Sequence, residues 1–181
     1  MARYVAFLRG INVGGHVVAK DALCKPFTAL GLEDVESFIA SGNVIFTARS
    51  GSAPTWEKRL AERLEKALGY EVATFVRTGK EVAAIAAAKP FREPLRAGGS
   101  LLVAFLDRAP GAPERKALEA FRSPTNDFVV TGRELYWLCQ TRMTDSGLNY
   151  TVFEKALKSR ATFRNMNTIV RLTKKYELTA K

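Results

Sequence analysis

Cysteine and histidine are nearly absent from this sequence, and their scarcity removes several kinds of chemistry. Two cysteines occur, Cys24 and Cys139, far apart and without a Cys-x-x-Cys spacing. That pattern excludes a disulfide framework, a zinc ribbon and a thioredoxin-type pair. Both thiols sit among apolar neighbours and read as buried packing groups. His16 is the sole histidine, so no multi-histidine metal site is expected and imidazole acid–base work has one candidate. Long apolar runs are also missing: nothing approaches the roughly 18 residues of a membrane helix, and the start has no basic segment leading into an apolar stretch and cleavage site. A soluble, cytoplasmic protein is expected.

Acidic residues are in short supply as well. The 181 residues hold 28 Lys and Arg against 18 Asp and Glu, a net charge of +10. Such an excess favours anionic partners. From Lys155 onward eight basic residues face Glu177 alone, either as a solvated face or as a surface for nucleic acid or phosphate.

What is present begins with a strand, Arg3 to Leu8, almost continuously apolar as a central buried strand would be. It runs into Arg9-Gly10-Ile11-Asn12-Val13-Gly14-Gly15. A helix is expected over Lys20 to Leu30, where Pro26 predicts a kink or a late start and Gly31 a stop. Strands at Val35–Ala40 and Val44–Ala48 join through Ser41-Gly42-Asn43 as a hairpin. A helix over Pro54–Leu68 ends at Gly69, a strand covers Glu71–Arg77, and Thr78-x-x-Glu81 forms a capping box for a helix over Val82–Ala88.

The Pro- and Gly-rich stretch Lys89–Gly99 marks a boundary. Beyond it the pattern restarts with a strand over Ser100–Leu106, a helix over Pro113–Phe121 and a hairpin of Phe128–Thr131 with Leu135–Leu138. Val5-Ala6-Phe7-Leu8 recurs as Val103-Ala104-Phe105-Leu106, and Gly132 sits in the second hairpin as Gly42 does in the first. Strand, helix and Gly-centred hairpin in one order point to duplication. Helices are expected over Gly147–Leu157 and Asn165–Tyr176, the latter capped by Asn165 and burying Met166, Ile169, Val170, Thr173 and Tyr176.

The expected architecture is therefore α+β: two tandem ferredoxin-like (split βαβ) halves with antiparallel sheets, followed by C-terminal helices. The first half spans 1–90 and the second 99–181, packed as one compact unit. In that topology the first strand and the second strand both end where the glycine loop and the Ser41–Asn43 turn emerge. Arg9, Asn12, Ser41 and Asn43, flanked by His16, then face one spot together with amides freed by Gly10, Gly14, Gly15 and Gly42. Converging backbone N–H groups suit a phosphate or carboxylate. The alternative is that the glycines only permit a tight turn and the asparagines bond local backbone. Neither nucleotide-loop pattern, G-x-G-x-x-G or G-x-x-x-x-G-K-[ST], is present.

Three ordered blocks, Tyr4 to Gly15, Ser41 to Phe46 and Ala161 to Thr168, resemble the uncharacterised bacterial family DUF1697. The resemblance implies a duplicated ferredoxin-like fold and brings no activity, cofactor or substrate with it. Two positions depart from the family pattern: His16-Val17-Val18 replaces a polar stretch, and Met166 stands where an aromatic residue is common, which suggests a packing role. The resemblance adds Thr162, Arg164, Asn165, Asn167 and Thr168 to the candidate site, since a helix cap needs one or two such residues and five are present.

None of these blocks holds a carboxylate, which disfavours ordinary acid–base catalysis; whether the chain is an enzyme stays open, with electrostatic catalysis on a phosphorylated molecule as one alternative. An RNA-recognition domain would need a ribonucleoprotein-type aromatic signature, and that signature is absent. Phe7, Phe38, Phe46 and Phe105 read as core. The expectation is a protein that binds an anionic, phosphate-bearing ligand through Arg9, Gly10, Asn12, Gly14, Gly15, Ser41, Gly42, Asn43, Arg164, Asn165, Asn167 and Thr168. No metal or cofactor is expected, and a nucleic-acid module acting through the basic C-terminal face is the alternative.

Overall fold

The computed structural model describes residues 1–11, 18–39 and 42–180. These form a mixed α+β protein with two four-stranded antiparallel sheets and, among the described residues, six α-helices. Chain contacts divide it into one unit of Met1–Ala86 with Arg171–Lys181 and another of Ala87–Val170.

In the first unit β1 (Ala2–Leu8), α1 (Lys20–Thr28), β2 (Glu33–Ser37), β3 (Asn43–Ala48), α2 (Ala53–Leu68), β4 (Thr74–Thr78) and α3 (Gly79–Ala87) follow in sequence. The sheet order is β2-β3-β1-β4. One face of that sheet carries Tyr4, Ala6, Leu8, Val44, Phe46 and Val76, and it packs with Leu23 and Phe27 of α1 and Trp56, Leu60 and Leu64 of α2. Phe46 is the hub, stacked on Tyr4 at 5.4 Å and meeting Trp56 edge-on at 6.2 Å. Aromatic pairs of this geometry add to the burial of their surface. The opposite face is buried too, through Val5, Phe7, Ile45 and Phe75, which is why β1 reads as a nearly unbroken apolar run.

Local chemistry sets the helix ends. Ser52 Oγ accepts the Thr55 amide at 3.4 Å to start α2, and Gly69 at φ 81° closes it. The box at α3 is reciprocal: the Thr78 amide donates to Glu81 Oε2 at 2.7 Å and the Glu81 amide to Thr78 Oγ1 at 3.2 Å. Pro26 lies inside α1 and is buried there, so the helix begins at Lys20 rather than late.

The second unit runs β5 (Ser100–Leu106), α4 (Ala112–Ala117) with a 3₁₀ turn over Leu118–Phe121, β6 (Asn126–Thr131) and β7 (Glu134–Cys139). A 3₁₀ turn at Met143–Asp145, α5 (Tyr150–Leu157), β8 (Ala161–Asn165) and α6 (Met166–Lys175) follow. Its sheet order is β6-β7-β5-β8. Trp137 and Phe128 stack at 6.0 Å in its core, beside Phe153 and Leu157 of α5. The Trp137 indole N–H donates to buried Asn126 Oδ1 at 2.9 Å, and Asn126 Nδ2 donates to the Ser146 carbonyl at 2.8 Å, so the polar atoms enclosed there are satisfied.

Several elements differ from the sequence expectation: β4 begins at Thr74 rather than Glu71, α5 at Tyr150 rather than Gly147, and the helix expected over Pro113–Phe121 divides into α4 and a 3₁₀ turn. β8 was not expected: residues 161–165 pair with Leu102–Leu106 as an edge strand, and Asn165 is its last residue, with Oδ1 accepting the Asn167 amide at 2.9 Å. β2 lies at Glu33–Ser37 instead of Val35–Ala40, with its register broken between Glu33 and Glu36. In α6 the buried residues are Met166, Ile169 and Leu172, whereas Val170 is 46% exposed. The helix starts one residue later, at Met166, and the face it buries runs through Leu172 rather than Val170.

Candidate functional site

The end of the first sheet is built by glycine turns. β1 stops after Leu8, whose amide donates to the Gly42 carbonyl at 2.6 Å, and the Arg9 amide donates to the Ala73 carbonyl at 2.9 Å. Gly10 and Gly42 take φ of 80° and 79°, a region that favours a residue without Cβ. Asn43 is buried and closes the β2–β3 hairpin: its Nδ2 donates to the Phe38 carbonyl at 3.1 Å, and its own carbonyl accepts the Phe38 amide at 2.8 Å. Arg9, Gly10, Gly42 and Asn43 are thus brought to one sheet end, with Arg9 exposed. Asn12, Gly14, Gly15, His16 and Ser41 lie outside the described residues.

The second unit repeats the backbone of this end with other side chains. The Leu106 amide donates to the Arg133 carbonyl at 2.9 Å and the Asp107 amide to the Arg160 carbonyl at 3.4 Å. Where the first unit has Arg9 and Gly10, the second has Asp107 and Arg108. Asp107 accepts the Ser159 hydroxyl at 2.6 Å and pairs with Arg160 at 3.4 Å. Arg108 donates to the carbonyls of Lys158 at 2.9 Å and Leu157 at 3.2 Å, and pairs with Glu114 at 3.3 Å. That end is tied shut by its own ion pairs and hydrogen bonds.

The third candidate segment lies on β8 and the start of α6, in the second unit. Arg164 donates to Thr162 Oγ1 at 2.9 Å and to the Phe163 carbonyl at 2.8 Å. Its side chain keeps some access to solvent, yet burial pulls its pKa down to about 10. It stays a cation at neutral pH. Asn167 is exposed, Thr168 half-buried and Met166 buried.

One notable arginine was missed in the sequence. Arg77 on β4 is fully buried, 3.3 Å from Glu57 Oε1 and 2.9 Å from the Val76 carbonyl, and the same Glu57 oxygen accepts the Val76 amide at 2.9 Å. Val5 pairs with Arg77 in the first sheet and Val103 with Arg164 in the second. The repeat itself was the available signal, since Arg77 stands in the first unit where Arg164 stands in the second. Among the described residues no group of three or more His, Cys, Asp or Glu is placed to hold a metal ion, and no helix is long and apolar enough to cross a membrane.

The conserved bacterial protein SP0830 from Streptococcus pneumoniae is similar in structure, with a TM-score of 0.63 and 23% identity over 96% of this chain and 97% of that one; the likeness is one of fold. No curated protein matches the sequence. The profile of the family described as "Protein of unknown function (DUF1697)" matches residues 1–136, and the chain belongs to that family.

Proposed function

We propose that the protein binds a small phosphate- or carboxylate-bearing ligand at the end of its first sheet, with Arg9 as the anchoring cation, Gly10 letting the ligand approach the backbone and buried Gly42 permitting the turn that shapes that end. The observation that carries this reading is the 2.6 Å bond between the Leu8 amide and the Gly42 carbonyl, which joins two positive-φ turns beside an exposed arginine. The contrast with the second unit supports it, because there an aspartate replaces the arginine and the loops bind each other. Asn12, Gly14, Gly15 and Ser41 belong to the same proposal as sequence neighbours. Arg164, Asn165, Asn167 and Thr168 are a separate segment of it. Asn43 holds the turn that contains Gly42.

The same reading takes each unit as a ferredoxin-like fold and the pair as a duplication. The β-α-β-β-α-β order, the matching sheet orders and the matched registers Val5–Arg77 and Val103–Arg164 support it. A cytoplasmic location goes with this proposal.

A thermal-shift screen of inorganic phosphate, nucleotides, phosphosugars and short RNA and DNA, followed by calorimetry, tests the site. Loss of a charge-assisted hydrogen bond weakens binding by about 1.5–3 kcal/mol, or roughly tenfold and more. Arg9→Ala is expected to lose at least that much, Arg164→Ala to weaken binding, and Lys174→Ala to leave it nearly unchanged. If Lys174→Ala instead removes most binding while Arg9→Ala and Arg164→Ala bind normally, diffuse polyanion binding by the basic C-terminal face replaces the pocket. A steep loss of affinity with salt would then accompany it.

A further inference from the structure

The two helices covering the first sheet leave a groove between them, floored partly by Pro26 and Leu68 at the edge of the core and rimmed by cations. Its volume is about 460 Å³, and its floor is made of Ala22, Pro26, Ala29, Ala67 and Leu68. Lys25 of α1 and Arg63 and Lys66 of α2 stand along it. None of these three side chains has a hydrogen bond or ion pair among the described residues. A second hollow of about 200 Å³ continues the groove past Leu30 and Arg59, sharing Arg63 and Lys66 and adding one carboxylate, Glu62.

Arg59, Arg63 and Lys66 stand at positions i, i+4 and i+7 of α2 on one face, and Glu62, three residues after Arg59 and four before Lys66, offsets only part of their charge, so the face stays net positive. Arg59 finds some relief over the Trp56 ring at 4.7 Å. A row of cations beside an apolar floor is complementary to an acidic, amphipathic surface.

We propose that this groove is a docking site for an acidic amphipathic helix of a partner protein, seated across α1 and α2. Small floor residues let a third helix approach to the 8–10 Å interaxial distance of packed helices. The nine residues of α1 extend about 13 Å at 1.5 Å per residue. That length accommodates an apolar stripe at i, i+3, i+4 and i+7, flanked by Glu or Asp facing Lys25, Arg63 and Lys66. An acyl chain is a poorer occupant, because a small-molecule site encloses most of its ligand, whereas Ala22, Lys25, Ala29, Lys66 and Ala67 are all exposed. A membrane surface is poorer too. Interfacial binding inserts large apolar residues, and the large exposed ones among the described residues, such as Leu95 and Val152, lie elsewhere. Single-stranded nucleic acid stacks on aromatic side chains, and Trp56 is buried.

The test uses the full chain and designed peptides. One helical peptide carries a Leu/Ala stripe flanked by Glu; a second replaces each Glu by Lys; a third has the first one's composition with the stripe scrambled. The Glu-flanked peptide is expected to bind saturably in calorimetry, with NMR amide shifts centred on Ala22, Ala29 and Ala67. The combined variant Lys25→Glu, Arg63→Glu, Lys66→Glu, all at exposed or half-buried positions, is expected to bind it at least tenfold more weakly and to gain binding of the Lys-flanked peptide. Ala22→Trp, which fills the floor without altering charge, should weaken the original complex. Absence of a saturable complex, equal binding of the scrambled peptide, shifts centred elsewhere, or failure of the charge exchange would each overturn the proposal. So would displacement of the peptide by phosphatidylserine vesicles or a short DNA strand that binds the same residues more tightly. Arg9 lies outside the groove, so Arg9→Ala should leave peptide binding intact, which separates this test from that of the anion site.

Discussion

The two sheets share a framework and differ in what they place at its end. In each, the amide of the last β1 or β5 leucine is held by the hairpin carbonyl, Gly42 or Arg133, and the next amide by Ala73 or Arg160. Arg9 and two glycines with positive φ occupy the first end; Asp107, Arg108 and Arg160 cross-tie the second. An unchanged backbone with exchanged side chains separates scaffold from site. The main-chain hydrogen bonds are what the fold needs, and the side chains at the turns are free to differ.

The same contrast runs through the edge strands, where it carries the largest expected effect. Arg77 and Arg164 occupy matched registers, but Arg77 is fully buried and Arg164 is not. Arg77→Met removes a charged partner of Glu57, whose side chain is only 17% exposed. Breaking a buried pair from one side costs about 3–5 kcal/mol. Arg164→Met removes its hydrogen bonds to buried Thr162 and to the Phe163 carbonyl and should cost about 1–3 kcal/mol. Urea denaturation of the two variants measures both. Equal costs would mean that burial of the arginine is not what distinguishes the edges.

A second difference lies two strands away. Ile45 faces Val5 in the first sheet, and Tyr136 faces Val103 in the second. Burial, with Glu134 adding to it, pushes the Tyr136 hydroxyl from its ordinary value of 10 up to about 12. A folded-state pKa above the unfolded one stabilises fully below pH 10, and that contribution is lost as the pH rises through 12. At 1.36 kcal/mol per unit the loss is at most about 3 kcal/mol, reduced by solvent screening near the hydroxyl. Tyr136→Phe should therefore flatten the alkaline fall in stability between pH 10 and 12, read as midpoints of denaturation against pH. If the fall is unchanged in the variant, the alkaline sensitivity belongs to other groups.

Much of the framework was legible because its signals are local. β5 matches its expected bounds, and the Thr78–Glu81 box and the Gly69 stop are short-range hydrogen-bond and φ requirements written in adjacent residues. β8 was illegible for the opposite reason. Its five residues, Ala161 to Asn165, include polar and charged side chains and are strand only because β5, some sixty positions earlier, supplies the ladder. β2 was displaced because its edge sequence alternates charged and half-buried residues around Asp34, a non-glycine at φ 50°. At the candidate site, chain order alone was enough to place Arg9, Gly10 and Gly42 at one sheet end. That Asn43 spends its amide on Phe38, and that Arg77 mirrors Arg164, depends on burial and register, which no local pattern carries.

The smallest test concerns one residue at the end of the second helix of each unit. α2 closes on Gly69 at φ 81°, and α5 closes on Lys158 at φ 46°. Both are left-handed caps, but only one has the residue that enters this region without steric cost. A side chain with Cβ pays about 1–2 kcal/mol there, while glycine gives back about 0.5–1 kcal/mol through its more flexible unfolded chain. Lys158→Gly should therefore stabilise the protein by roughly 0.5–1 kcal/mol, the difference between those two terms. Gly69→Ala should destabilise it by a similar amount, since a Cβ at Gly69 meets no atom within 4 Å and only the backbone term remains. Opposite shifts of the denaturation midpoint would show that the two caps are the same device filled differently. A loss on Lys158→Gly would instead assign the Lys158 side chain a stabilising contact worth more than the strain of its backbone.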